Sequence, residues 1–474
     1  MGRKEKFVMD KELKEIQDLI IKASVEAEND RHGTVSPAFV GRVNWPAECT
    51  VGPGLEGAIA CETEIGYVNG TQGALYYRGY RIYDLCAYAN YEQVAYLLLK
   101  GKLPTPKQLN VFSKRLNKNL LMPKVIRSLI GFDIEAMSPM ASLNLATTVM
   151  KQYFDASILG NAKKKSDEVI GTDEDSMGME TLPFGEQKAI YEFDDDKRKK
   201  KETENKEKET FSACCHLISG LATCTAAISR VRQGHMPIDP DEDLSFAANF
   251  LYMMTGKKPT PVEEKIMDVS LILHADHGMN ASTFSSIVVA STLSDLYASI
   301  GAGIAALKGP LHGGANEQVL HMLERIQEPE NVSEWYKNAM RKKEKVMGFG
   351  HRVYKTYDPR AKILGPLARF MTDYADPEAK KTLQIAQNLE KEVVSTLGKT
   401  KGIYPNVDFY SGIVYKALGI PDEMFTPTFA VARCSGWTAR VVEYLKHNRI
   451  FRPRAIYTGA LDRKYVSLED RAKK

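Results

Sequence analysis

Four of the nine histidines fall in three glycine-rich or polar segments, and these segments hold most of the chemistry the chain could perform. The first is His274-Ala275-Asp276-His277-Gly278-Met279-Asn280. A pair of histidines three apart on a helix could ligate a metal, but no cysteine or third histidine nearby completes a zinc set, so no metal site is expected. A core or capping role accounts for these histidines equally well. The second segment carries His312 within Lys308-Gly309-Pro310-Leu311-His312-Gly313-Gly314, just ahead of the helical pattern Val319, Leu320, Met322, Leu323 and Ile326. A helix N-terminus disfavours the imidazolium, and a neutral ring can donate its N–H to an oxygen that turns negative, as an enolate oxygen does. An ordinary loop histidine among glycines is an even match for that pattern.

His351 sits in the third segment, Gly348-Phe349-Gly350-His351-Arg352-Val353-Tyr354-Lys355, which runs on to Asp358-Pro359-Arg360. Its glycines let backbone approach a ligand, while Lys355 and Arg360 offer charge for phosphate and carboxylate. The competing reading makes Asp358 a helix cap before a first-turn proline and leaves Arg360 exposed. Asp408, in Pro405-Asn406-Val407-Asp408, could be a base, although capping the helix that follows is the commoner explanation for one such Asp. Arg433 and Arg452 would each pass alone as surface residues.

The elements that must position these residues read as helices. Residues 376–398 have Asp376 as N-cap, Pro377 in the first turn, an apolar face from Ala379 to Leu397, and Gly398 as the stop. A second helix runs from Asp243 to Gly256, and a third, rich in small residues, is expected from Ser285 to Leu307, packed closely against others. Leu13, Ile16, Leu19, Ile20 and Ala23 mark an N-terminal helix. One hairpin is expected, Glu64–Val68 and Ala74–Tyr77 around a tight Asn69-Gly70 turn. The fold class is therefore mainly α. Between Ala162 and Glu209, 11 Lys/Arg and 15 Asp/Glu fall within 48 residues, a composition expected to form a solvated, largely disordered insertion.

The chain's 474 residues, 43% hydrophobic, have room for two domains, and 64 Lys+Arg against 60 Asp+Glu leave +4, too little to point to nucleic acid or an anionic membrane. Seven cysteines show no paired framework, which fits a reducing compartment. No apolar run is expected to approach the roughly 18 residues of a membrane helix. The start, MGRKEKFVMDKELKEI, lacks a signal-peptide core and is too acidic for a typical transit peptide, Lys6 does not fit a myristoylation signal, and EDRAKK is no peroxisomal address. A cytoplasmic location is expected, with the mitochondrial matrix left open.

Taken in order, HADHGMN, LKGPLHGGAN, MGFGHRVYKTYDPRAK, PNVDFYSG, FTPTFAVARCSGW and NRIFRPRAIYTG resemble the citrate synthase family, from about residue 55 to the C-terminus apart from the insertion. The resemblance implies a two-domain, all-α homodimer, with a large domain of residues 1–312 and 412–474 and a small one of 313–411 that closes over the site. It implies that Asp408 takes a methyl proton from acetyl-CoA, that His312 hydrogen-bonds the thioester oxygen, and that His351 polarises and protonates the keto oxygen of oxaloacetate. His277, Arg360 and Arg433 would hold the oxaloacetate carboxylates, with Arg452 reaching in from the other subunit, Lys355 meeting CoA phosphate, and no cofactor required. Gly278, Arg440 and Ser138 depart from residues common in the family, Glu, His and His. Use of propionyl-CoA, as in 2-methylcitrate synthase, and a non-catalytic paralogue are the alternatives.

Overall fold

The computed structural model describes residues 3–30, 40–167, 196–373 and 377–471. Their architecture is helical, as expected, with one small sheet. Local sequence fixes many helix starts. Thr105 before Pro106, Thr260 before Pro261 and Asn90 before Tyr91 each form a capping box with the Gln or Glu three residues on, so donors that the first turn leaves unpaired are satisfied from both sides.

At the centre lies the helix Phe425–Leu445, whose residues from Phe425 to Val441 are all buried. It packs against Asp196–Arg232, Ala281–Ser291, Leu296–Leu307, Tyr91–Lys100 and Pro261–His274. Burial on every side explains its mix of small and apolar residues, which no single amphipathic stripe describes. The same holds within Asp196–Arg232, where the membrane expectation needs correcting. The stretch Lys206–Arg232 is long and apolar enough to cross a bilayer, but 83% of its apolar window is buried inside the protein, as a core helix requires.

Ser285–Leu307 is two helices rather than one. Asp295 accepts hydrogen bonds from the backbone N–H of Tyr297 (2.8 Å) and Ala298 (3.0 Å), so it starts a new helix after the break at Leu293. The close packing anticipated there is real: a Cβ on Gly303 would lie 2.4 Å from Ser286 Oγ and 3.2 Å from the Trp437 ring. The helix Pro377–Val393 also outruns its expected stop. Gly398 is helical and buried, with the chain continuing through a wide π turn, Val394–Gly398, and Lys399–Lys401 to Gly402, whose φ of +64° ends it. Asp376, the expected cap, lies outside the described residues.

The hairpin pairs β1 (Gly66–Asn69) with β2 (Ala74–Tyr77) in the register Gly66↔Tyr77 to Asn69↔Ala74, and β3 (Tyr80–Arg81) extends it. Its turn is longer than a two-residue one, because Asn69 belongs to β1 and its side chain accepts from Thr71 Oγ1 and Gln72 N. The reason lies in what the turn touches. Gly70 accepts from Lys355 N (2.9 Å), and a Cβ there would sit 2.1 Å from Val353 O, so the glycine lets the hairpin press against the His351 segment.

The N-terminal helix, Arg3–Asn29, buries Ile16, Ile20, Ala23 and Ala27 against Ile82–Tyr88, Pro261–His274 and Pro359–Asp373. The charged insertion is bounded by two long helices, Pro139–Asp167 and Asp196–Arg232, which reach into its ends. Residues 168–195 of it lie outside the described residues. One hydrophobic cluster runs through residues assigned above to both domains, and the 411/412 boundary falls within the helix Val407–Ala417.

Candidate active site

His274 ends the helix Pro261–His274, and the chain then turns, so His274 and His277 do not share a helix face. His274 is a core residue: its Nδ1 meets Ser270 O at 2.7 Å, and burial holds its pKa at about 3. His277, also buried, faces the site. Its ring packs edge-on to His351 with centroids 5.1 Å apart, and its Nε2 lies 3.2 Å from the Tyr354 hydroxyl. Burial, followed by the Arg360 charge, keeps it well below the ordinary histidine range. Among the described residues no group of three or more His, Cys, Asp and Glu side chains is arranged to hold a metal ion.

His312 lies in a turn closed by its own N–H on Gly309 O (2.9 Å), three residues before the helix Ala315–Ile326. Its Nε2 receives the backbone N–H of Ser282 at 3.3 Å and lies 2.8 Å from Ser282 Oγ. Since a backbone N–H can only donate, we assign the lone pair to Nε2 and the proton to Nδ1. Burial, then Arg433, brings the pKa to about 4. The ring is thus neutral, as expected, with burial and the Arg433 charge as the causes.

His351 is the mirror case. Its Nδ1 accepts from Val353 N (3.0 Å) and Tyr354 N (3.1 Å), leaving the proton on Nε2. Burial lowers it to about 4, with Asp358 opposing and Arg360 and Lys355 adding to the shift. Two neutral imidazoles with defined tautomers therefore present one N–H each, at positions suited to donate to oxygen.

Asp408 is not the cap of its helix. Asn406 fills that place, accepting from Asp408 N at 3.0 Å, and Asp408 stands in the first turn of Val407–Ala417. No donor among the described residues binds its carboxylate. Burial raises its pKa to about 6, against the pull of Arg360 and Arg433, so it is mostly ionised at neutral pH and more basic than an ordinary Asp. The Asn406 amide also donates to Gly350 O at 2.9 Å, which ties the start of this helix to the residue before His351.

The arginines differ among themselves. Arg360, read in one alternative as exposed, is 3% exposed and forks onto Asp358, Nε to Oδ1 at 3.0 Å and Nη2 to Oδ2 at 2.7 Å. Asp358 does cap, accepting from Arg360 N at 3.0 Å, so one half of that alternative holds and the other fails. Arg433, 1% exposed, is no surface residue either. It donates from Nε to His274 O at 2.5 Å, stacks 4.7 Å from the Phe429 centroid, and has no carboxylate partner among the described residues. Burial pulls it down to about 10, still a cation at neutral pH. Its charge acts on His277, His312 and Asp408 alike, which places it amid them. Lys355 and Arg452 stay outside this group: both are exposed, with Lys355 Nζ on Arg352 O (3.3 Å) and Arg452 Nη1 on Pro453 O (3.4 Å).

Sequence reading passed over two supports. Ser282 sets the His312 tautomer from the first turn of Ala281–Ser291, and the Trp437 indole donates to its Oγ at 3.3 Å. Arg440 forks onto the buried Asp276 at 2.7 Å through both Nε and Nη2, and reaches Gly66 O at 3.3 Å, which anchors β1 beside His277. The departure at Arg440 is thus a structural clamp. Gly278 has φ +62°, the left-handed region that favours glycine, and Ser138 is exposed, ahead of Pro139–Asp167.

A family model described as Citrate synthase, C-terminal domain, matches residues 54–454. The chain belongs to the citrate synthase family. By that membership it is an enzyme of the acyltransferase type. It is 39% identical to a citrate synthase of Deinococcus radiodurans over 422 residues, 89% of this chain and 99% of that one. The solved citrate synthase of Pyrobaculum aerophilum superposes with a TM-score of 0.73 at 37% identity, covering 92% of this chain and 100% of the other. That of Thermoplasma acidophilum, solved in a ternary complex with carboxymethyl coenzyme A and oxaloacetate, gives a TM-score of 0.72 at 33% identity, covering 87% of this chain and 97% of the other.

Proposed function

We propose that this member of the citrate synthase family joins the methyl carbon of acetyl-CoA to the keto carbon of oxaloacetate and hydrolyses the citryl-CoA formed. The observation that carries the reading is Arg433, a buried guanidinium with no carboxylate partner among the described residues, set among two neutral histidines and a free carboxylate. A buried cation left without a partner is costly, and a dianionic substrate would supply the missing charge.

Asp408, ionised and unencumbered, removes the methyl proton, while His312 Nδ1–H donates to the thioester oxygen as negative charge grows there. The enol carbon attacks the keto carbon, and His351 Nε2–H donates to the keto oxygen and passes its proton on as the bond closes. His277, Arg433 and the unengaged Nη1 of Arg360 orient the carboxylates, with Lys355 directed to CoA phosphate. Neutral histidines suit this arrangement, because imidazolium rings would repel the arginines and compete for the dianion. The large and small regions, 1–312 with 412–474 and 313–411, would close on the substrates and exclude water until condensation is complete.

A homodimer completes the site in this reading, with Arg452 supplied by the second copy. Support comes from the C-terminal arm, where Ile456, Tyr457, Leu461, Tyr465 and Leu468 are all exposed on the single chain. The unpaired state of all seven cysteines supports a reducing, cytoplasmic setting. No cofactor enters the scheme. Acetyl-CoA is favoured over propionyl-CoA, since the compared relatives carry the name citrate synthase. Steady-state kcat/KM for the two acyl-CoAs with oxaloacetate tests this: a clear preference for propionyl-CoA would overturn the substrate, and no CoA release with either, from folded dimer, would overturn the reaction.

A further inference from the structure

Two tyrosines flank the proposed catalytic residues in sequence, Tyr357 next to Asp358 and Tyr410 two residues beyond Asp408, and both hydroxyls end on one carboxylate. Tyr357 donates to Oε1 of Glu390 and Tyr410 to Oε2. Glu390 belongs to neither element. It lies, half-buried, on the helix Pro377–Val393, which packs against the helix that carries Asp408 and against Pro359–Asp373, the helix that follows the His351 segment. Burial first, and the Glu390 charge next, push both phenols above their ordinary range, so both remain protonated donors.

We propose that Glu390 is a positioning residue that fixes the Asp408 helix against the His351 segment. The first turn of that helix is joined to the segment on both sides of Asp408. On one side Asp358, holding Arg360, accepts from Val407 N at 3.3 Å. On the other, Tyr410 reaches Tyr357 only through Glu390. Asn406 adds backbone register, with its N–H on Gly348 O at 2.9 Å and its amide on Gly350 O at 2.9 Å. Those bonds hold the helix start, and the Tyr410 contact adds a side-chain tie to the packing of the buried Phe409, Ile413 and Val414 that sets the helix's rotation. Rotation would swing Asp408 while His351, pinned by Val353 N and Tyr354 N, stayed in place. The condensation needs the carbon that Asp408 deprotonates to meet the carbonyl that His351 polarises, and a misplacement of about 1 Å can cost on the order of 100-fold in rate.

The inference rests on the proposed role of Asp408, and the experiment separates the two. Kinetics are measured on full-length Glu390→Ala, Glu390→Gln, Tyr357→Phe/Tyr410→Phe and Asp408→Asn, well below each melting temperature. Glu390→Ala is expected to lower kcat about tenfold or more with KM for oxaloacetate within about twofold, since it removes no substrate contact. Glu390→Gln should restore most of the rate, because its amide can accept from one hydroxyl and donate to the other. The double Phe variant should match Glu390→Ala, and adding Glu390→Ala to it should change little. Near-normal turnover in Asp408→Asn would overturn the base itself, whatever Glu390 does. An inactive Asp408→Asn beside a Glu390→Ala of normal kcat, or one whose loss merely tracks its unfolded fraction, would overturn the Glu390 inference alone. Should Glu390→Ala fail to fold, the double Phe variant carries the same test with the same two outcomes.

Discussion

Replacing Asp408 by Asn is expected to stabilise the protein while removing its turnover. Burial raises this carboxyl from 3.8 to about 6, so ionising it costs more in the folded state than in the unfolded chain. A rise of about two units corresponds to ~3 kcal/mol, since each unit is worth about 1.36 kcal/mol. Below pH 3.8 the group is neutral in both states and the cost is absent; it grows as pH rises and is full above about 6. The first-turn position offsets part of it, because a negative charge at a helix N-terminus gains up to ~1 kcal/mol that Asn forgoes. The net gain for Asn at pH 8 is then about 2 kcal/mol. With an unfolding entropy of ~2.1 cal/mol/K per residue, a chain of 474 residues should melt about 2 °C higher.

The assay is a pair of melting curves, wild type and Asp408→Asn, at pH 8 and near pH 4, beside turnover at pH 8. The gain should be present at pH 8 and shrink toward pH 4, while kcat falls by about 100- to 10,000-fold, the range for losing a general base. The wild-type kcat/KM profile should show an acid limb near pH 6 that tracks the same carboxyl. A variant less stable than wild type at pH 8, or one stabilised equally at both pH values, would refute the claim that burial of a charge sets this pKa.

His312→Ala should lower kcat by about 100- to 1000-fold while oxaloacetate binding, read by calorimetry, stays near normal, because its N–H matters once charge develops on the thioester oxygen. Arg433→Gln should weaken oxaloacetate binding by about 10- to 100-fold in the same assay, the worth of a charge-assisted contact of ~1.5–3 kcal/mol. Ile20→Ala, at a fully buried site on the N-terminal helix, should destabilise the protein by about 2–5 kcal/mol in denaturant unfolding with kcat at full folding unchanged. Deleting Ala162 to Glu209 behind a short Gly/Ser linker should leave turnover and size, by mass photometry, close to those of the intact chain, because lengthening or shortening a loop twofold changes closure by only ~0.6 kcal/mol.

What could be read in the sequence was what is local. The class, the cap at Asp358, the strand pairing and the chemistry-bearing motifs all lie in short windows. Where local signals competed, a neighbouring residue decided. Asn406 rather than Asp408 caps the helix, and that frees the carboxylate; Asp295 splits what small residues made look like one helix; Gly402, not Gly398, takes the left-handed turn. The apolar run in Lys206–Arg232 stands in the composition but was passed over, and its burial depends on which elements surround it.

The contacts that give the site its chemistry join distant parts of the chain. Ser282 meets His312 30 residues away, Asp276 meets Arg440 164 away, and Tyr357 meets Glu390 33 away. None leaves a periodic trace, so the motifs name the reacting groups without saying which nitrogen carries a proton or which arginine is free. Those two properties arise only on assembly. Asp276 and Asp358 each occupy an arginine fork, on Arg440 and Arg360, and Arg433, bonded to the His274 carbonyl and without a carboxylate partner among the described residues, keeps its charge available. A core with two clamped arginines and one unclamped is held rigid by the pairs and left short of one anion by the third. That imbalance is what a dicarboxylate substrate would correct, and it follows from the packing of Phe425–Leu445 against His274–His277 rather than from any one motif.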